Sequence, residues 1–434
     1  MDKPRTIIVA YILCLTIPGM GQNVDRKAML VYEPLLDVPT VNEKQAKAGF
    51  NNVISTAGLN VLFARQLAQY LSSSTDLSYN KGYAVLDDED DRLYVGYTTN
   101  HTKDFGAFIR NLTSIGVKSN VSDGFSTLWK ESTAQPDIGL SVKHSFILGG
   151  TLKTGRIEKN IESVKRRNAY VDFLLNKARM DMGKWADAED AAAKNAPDPS
   201  ETGKILADRT ESKSAEKGQD LVKAEVDYIL DHELFTVATN SWLTLELYVP
   251  FTQSEYLTAD SITNTSITTH TLRPYEARLN LSRYWQTAAG QALFLQVGAL
   301  AQQFNTVLDK SVEAVPFEEW QNRGDGDTLL VAQLASEDVY VGPYKDYTAW
   351  AVTARGAYLF PICGSTNRMG FSASIEKYFS ENYNPLNWKL GIPFSLMDKD
   401  DEPAVNFEIQ WREQNKTHSI GISVGLPIGQ FVYE

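Results

Sequence analysis

Six charged side chains, Glu246, Arg278, Arg355, Lys389, Glu408 and Arg412, fall on the polar faces of stretches that alternate polar with apolar residues. Successive side chains of a strand point to opposite faces, so each of these charges lies on the face opposite an apolar one. An ionisable group enclosed in a membrane protein lines water or pairs with its opposite. Two arrangements stay open: the six line a narrow aqueous pore and set its selectivity, or they form a salt-bridged plug in a closed barrel. A barrel of about twelve strands is near the size at which side chains fill the interior, which favours a narrow or occluded lumen.

Covalent chemistry has no comparable footing. There is no GxSxG elbow, no HExxH, no Walker A loop and no CxxC pair. His101, His144, His232, His270 and His418 are scattered, with no metal-type neighbour at helical or hairpin spacing. The acidic run Asp87–Asp91 reads as a solvated hairpin turn ahead of a cation site or a bridge to lipopolysaccharide phosphates. Gly324-Asp325-Gly326-Asp327 lacks the spaced ligands of a calcium loop. The expectation is a non-enzyme with no catalytic residue, no metal and no cofactor. A formal charge of −12 disfavours nucleic acid as a partner, because phosphate binding needs a basic face.

The elements that must position the six charges are strands. Leu386, Trp388, Leu390, Ile392, Phe394 and Leu396 alternate with polar or small residues; Val405, Phe407, Ile409 and Trp411 repeat the pattern, as do Ile420, Ile422, Val424, Leu426 and Ile428. Earlier runs at 79–86, 93–99, 105–117, 138–148, 243–251, 275–285, 292–304, 347–360 and 371–379 carry the same period. One face is apolar and ends in aromatics while the other holds Lys, Glu and Arg, which suits lipid outside and a polar lumen. The fold class expected is all-β, a transmembrane antiparallel up-and-down barrel of about twelve strands. Residues 305–345 and 261–273 read as polar loops.

The period changes between residues 155 and 235. Ile157, Ile161, Val164, Val171, Leu175, Ala178, Met182 and Trp185 mark a heptad seam, and Pro197 and Pro199 stop it. A second helical run follows from about Glu201 to His232, so the insert is an α-helical hairpin with arms of roughly 45 Å at 1.5 Å per residue. Val171, Leu175, Met182 and Trp185 are the candidates for docking a partner, unless the hairpin buries its own seam.

Lys3 and Arg5, the apolar core Thr6–Ile17 and Pro18-Gly19-Met20-Gly21 read as a cleaved secretory signal peptide. Only Cys363 follows it, so no intramolecular disulfide forms. The expected division is residues 1–21 signal peptide, 22–75 lead-in, 76–154 first part of the barrel, 155–235 helical insert, and 236–434 second part. Leu59–Leu71 reads either as a short helix at the barrel mouth or as the first strand. With the C-terminus on the periplasmic side, counting strands backwards makes 305–345 and 261–273 extracellular and the helical insert periplasmic.

The chain resembles Bacteroidota outer-membrane β-barrel proteins. The resemblance rests on the signal peptide, the amphipathic strands and the closing Ser419–Ile428 with Phe431 and Tyr433 near the end. It implies a Gram-negative outer-membrane location, contact with lipid and lipopolysaccharide, and a closing strand recognised by the barrel-insertion machinery. It implies no particular activity. Two functions stay open: a narrow, porin-like channel or transport protein, and an anchor that docks a periplasmic or membrane protein through its hairpin.

Overall fold

The computed structural model describes residues 36, 53–72, 77–87, 92–102, 107–120, 129–130, 133–134, 138–155, 157–194, 199–251, 253–259, 267–309, 311–322, 328–363, 365–380, 383–399, 402–414 and 417–431. The expected signal peptide, most of the expected lead-in, Asp88–Asp91 and residues 324–327 lie outside them. The chain divides into two compact units, residues 1–58 with 156–234 and residues 59–155 with 235–434.

The second unit is built on eighteen strands in chain order: β1 Asn80–Asp87, β2 Arg92–Asn100, β3 Asn111–Asn120, β4 Trp129–Lys130, β5 Thr133–Ala134, β6 Gly139–Lys153, β7 Val237–Pro250, β8 Ser254–Ala259, β9 Thr268–Leu272, β10 Glu276–Thr287, β11 Ala292–Asn305, β12 Glu313–Asn322, β13 Thr328–Val341, β14 Asp346–Pro361, β15 Arg368–Tyr378, β16 Leu386–Met397, β17 Pro403–Gln414 and β18 Thr417–Phe431. Twelve of them close into an antiparallel barrel, β1-β2-β3-β6-β7-β10-β11-β14-β15-β16-β17-β18, each beside its predecessor in the wall. The first and last strands seal it, from Gly82 opposite Ile428 to Asp87 opposite Ser423. This is the up-and-down barrel that the alternation predicts, and four of its strands precede the helical insert while eight follow.

Every wall strand carries a large apolar residue exposed on the outer face, among them Leu86, Val95, Ile115, Leu140, Leu247, Leu281, Val297, Val352, Phe371, Leu390, Ile409 and Ile422. The intervening residues point inward and are mostly buried. Outward aromatics gather near the two strand ends: Trp350, Phe379, Trp388 and Trp411 at one, Trp285, Tyr358, Phe360 and Phe371 at the other. The turn at 287–292 is tight, and Gly290 meets its left-handed backbone (φ 81°) at no steric cost.

Two readings of the loops need correction. Residues 305–345 contain β12 and β13, and 261–273 contains β9; with β8 they form a separate four-stranded sheet, β12-β13-β8-β9. Thr258, Thr268, Thr269 and Thr271 are polar yet β-branched, so a polarity count misses pairing that Thr favours. Residues 107–110 also precede rather than open β3.

The first unit holds α2 Ile157–Lys194 and α3 Pro199–Asp231. Pro199 sits at the first position of α3, where its missing N–H costs nothing. The other end closes on Leu234 N–H to the Ile229 carbonyl (3.0 Å), with Glu233 in the left-handed region (φ 49°). The buried line on α2 is Asn160, Ser163, Arg167, Val171, Leu174, Ala178 and Met182, against Leu221, Val222, Val226 and Ile229 on α3. The seam expected through Ile161 therefore fails in its first half, where Ile161 is exposed. Arg167 takes the inward place because it meets Glu225: Arg167 Nε donates to Glu225 Oε1 at 2.7 Å, and Ser55 N–H donates to the same carboxylate at 3.0 Å. Burial raises the Glu225 carboxyl above its usual range, against the pull of Arg167 and Ser55.

Candidate functional site: the barrel lumen

One end of the lumen is filled. The helix α1, Thr56–Ala68, is followed by a turn over 69–72, and residues 59–72 are buried throughout. A helix with no polar stripe facing water has to be enclosed, and here the barrel wall encloses it. Asn60 Nδ2 donates to the Ala107 carbonyl at 2.8 Å, Asn406 Nδ2 on β17 to the Ala68 carbonyl at 2.7 Å, and Ser423 Oγ on β18 to the Ser72 carbonyl at 2.8 Å. Tyr70 packs against Tyr284 and Phe294 at ring separations of 5.8 and 5.5 Å, and Arg65 lies 3.6 Å from Glu402. The wall is cut away to receive this segment. A Cβ on Gly425 would lie 2.7 Å from the Leu71 and Ser72 backbone, and one on Gly150 would collide with the Phe63 ring. These contacts belong to the end where β18 finishes, called here the terminal end. Of the two readings of Leu59–Leu71, the helix is correct for 59–68, and the segment lies inside the barrel.

Beyond this plug the lumen is lined by paired charges. On β1–β10, Tyr94 lies across Gly96 and Gly116, where a Cβ would come within 2.6 Å of its ring, and accepts from Tyr83 Oη (3.2 Å). Lys143 Nζ sits 4.2 Å from the centre of the Tyr94 ring and 3.7 Å from Glu246 Oε1, with Ser141 Oγ donating to Glu246 at 3.0 Å. Lys118 reaches Glu276 at 3.4 Å, and Arg278 Nε pairs with the same carboxylate. Lys143 is 1% exposed and its pair with Glu246 is dry, whereas Lys118 and Arg278 keep 15% and 22% of their side chains exposed.

On β14–β17 the inward charges are half-buried. Lys389 Nζ lies 3.6 Å from Glu408 Oε1, and its side chain keeps 15% exposure while Glu408 has none. Ser372 Oγ donates to Glu408 at 2.6 Å, and Gly391 leaves the carboxylate its space. Arg355, Ser374, Glu376, Lys389 and Arg412 are all half-buried on inward positions. All six charges selected from the sequence thus occupy inward positions. The structure brings Lys389 to Glu408 and sets Glu246 and Arg278 opposite each other in register, whereas Arg355 stands opposite Ser374 and Gln296.

Sequence reasoning put Lys143 on a polar face without selecting it and missed Lys118, Glu276 and Glu376, which follow the same alternation and were legible by the same signal. It also missed that Thr113 joins two histidines on the outer face, at 2.7 Å to His101 Nε2 and 2.8 Å to His144 Nδ1. The docking candidates are divided: Val171 and Met182 are buried within the helical unit, and Leu175 and Trp185 are half-buried. Among the described residues no group of three or more metal-ligating side chains converges.

Among solved structures the chain is similar to the β domain of the Bordetella autotransporter Brka, at 9% identity and a TM-score of 0.28, over 79% of this chain and 95% of that one. It is also similar to the NanC porin, at 5% identity and a TM-score of 0.27, over 80% and 98% respectively. No protein-family model and no curated protein matches the sequence.

Proposed function

We propose that the chain is an outer-membrane barrel that admits small solutes through a narrow lumen gated by α1. The apolar outer face supports the membrane: exposed Leu, Ile, Val and aromatic residues on all twelve wall strands would aggregate a soluble protein. In this reading the terminal end, with the plug, faces the periplasm, and the β12-β13-β8-β9 sheet faces outward. The observation that carries the solute reading is a ring of half-buried charges on inward positions, among them Lys118, Arg278, Arg355, Glu376, Lys389 and Arg412. Such side chains, paired yet partly exposed, leave a polar path along the lumen that a fully buried salt-bridged filling would not.

The test uses planar bilayers and two full chains. The native protein is expected to conduct rarely or in brief steps. Gly425→Val sets a side chain into the Leu71–Ser72 backbone, unseats the plug and gives long-lived discrete steps. Silence from both, with each shown folded by heat-modified gel mobility, would overturn the channel.

An anchor role has a specific observation of its own. Ile161, Phe173 and Met180 are large apolar residues exposed on α2, about 60% each.

A further inference from the structure

The buried ion pair of the helical unit does more than hold its two helices together. Ser55 and the first turn of α1, through Gly58, belong to that unit, and α1 runs on from Leu59 into the other. Ser55 caps the helix: Gly58 N–H, three residues on, donates to Ser55 Oγ at 2.9 Å. The same hydroxyl donates to Glu225 Oε2 on α3, and Ser55 N–H donates to Glu225 Oε1 at 3.0 Å. One carboxylate of the insert therefore holds the cap of the helix whose later turns plug the lumen. Its negative charge also suits the positive end of the α1 dipole.

The joint has no slack. Ile54 and Ser55 are fully buried, and Glu225 is 1% exposed. A Cβ on Gly58 would lie 2.8 Å from Glu225 Oε2 and 2.8 Å from the Ile54 side chain. The carboxylate is not free to retreat from such an intrusion, because Arg167 holds it through both Nε and Nη2. Arg167 Nη2 also donates to the Leu36 carbonyl, so the ion pair grips the chain ahead of α1 at a second point. Glycine weakens a helix relative to alanine, and at position 58 its small size is what admits the carboxylate. From this joint α1 runs as one helix of 13 residues without proline, so a displacement at its cap is carried along its axis to the turns inside the barrel.

We infer that the helical insert is the control arm of the plug: it grips α1 by its cap through Glu225, and release of that grip lets α1 leave its seat. The inference rests on the gated-lumen reading above and names the element that works the gate.

Hydrogen exchange of the full chain in detergent micelles, read by mass spectrometry over residues 59–68, tests it. Two substitutions separate the joint from an ordinary helix cap. Ser55→Gly keeps a residue that suits the cap position but removes the hydroxyl bound to Glu225. Gly58→Ala improves helix propensity yet drives a methyl group against that carboxylate. Each is expected to speed exchange over 59–68 about tenfold, the shift in opening that follows loss of a hydrogen bond to a buried charge, while the wall strands β10 and β11 exchange as before. Gly183→Ala on α2, where a Cβ meets nothing within 4 Å, leaves 59–68 as in the native chain. Exchange over 59–68 unchanged by Ser55→Gly, or unchanged or slowed by Gly58→Ala, overturns the arm, as does a rise confined to α2 and α3. Faster exchange in both variants without conductance steps in planar bilayers supports the arm and sinks the channel. Steps from Gly425→Val, with exchange unmoved by Ser55→Gly and Gly58→Ala, sink the arm and leave the channel standing.

Discussion

At the scale of single residues, the lumen separates charges that look alike in sequence. Lys389 and Glu408 sit on neighbouring strands but are not partners in register: Lys389 stands opposite Arg412, and Glu408 opposite Pro393. The side chains close the gap, to 3.6 Å. A pair so little exposed should couple, whereas an exposed one is worth about 0–1 kcal/mol at most. Lys389→Glu leaves two carboxylates and Arg412 in one place and is expected to lower the melting temperature of the folded barrel on gels. Glu408→Lys in the same chain restores part of the loss; strictly additive losses would show that the two do not interact. Which residue meets which was not legible, because the pairing of β16 with β17 shifts between Leu396 and Met397. Ser423 teaches a related lesson. As a small residue on the polar face it reads as a tolerant lumen position, but it is fully buried and holds the plug through the Ser72 carbonyl.

At the scale of elements, strands were legible and helices half so. Alternation of period two persists wherever one face meets lipid, which is why the wall from Val237 onward follows the sequence closely. The plug was legible in principle. Leu59, Val61, Leu62, Phe63, Ala64 and Leu67 wrap all round a helix, and only enclosure accommodates that. The α2 seam was misread where Arg167 replaces an apolar residue, since a buried ion pair leaves no hydrophobic trace in the pattern. The insert is tested by deleting Glu158–Asp231. The barrel should still insert, and any protein that co-purifies through Phe173 and Met180 should be lost. An unchanged set of co-purifying proteins would end the anchor reading and leave α2 and α3 as a self-contained hairpin.

At the scale of the whole molecule, what the outer face touches decides everything else. Leu390 and Ile409 are exposed at mid-strand, while Asn387 is half-buried on the inward face beside Glu376. Arginine at a lipid-facing midplane costs about 2–4 kcal/mol in such barrels. Leu390→Arg and Ile409→Arg should therefore slow or block folding into bilayers, and Asn387→Arg should not. The same preparation settles location: the native chain stays with outer membranes through a carbonate wash and needs detergent for release. Recovery in the soluble fraction would remove the lipid-facing reading, and the gate with it.

The first and last strands of the wall meet along only a short register, interrupted between Asn80 and Gly82. The plug lies against both sides of that meeting line. Asn406 and Ser423 hold it to the last two strands, while Leu71 packs with Tyr83 and Val85 on the first. It works there as a clasp fastened from within. Such a clasp ties the gate to the seam: what holds the plug in the lumen also holds the first strand to the last, so a change that frees the plug is expected to loosen that seam as well.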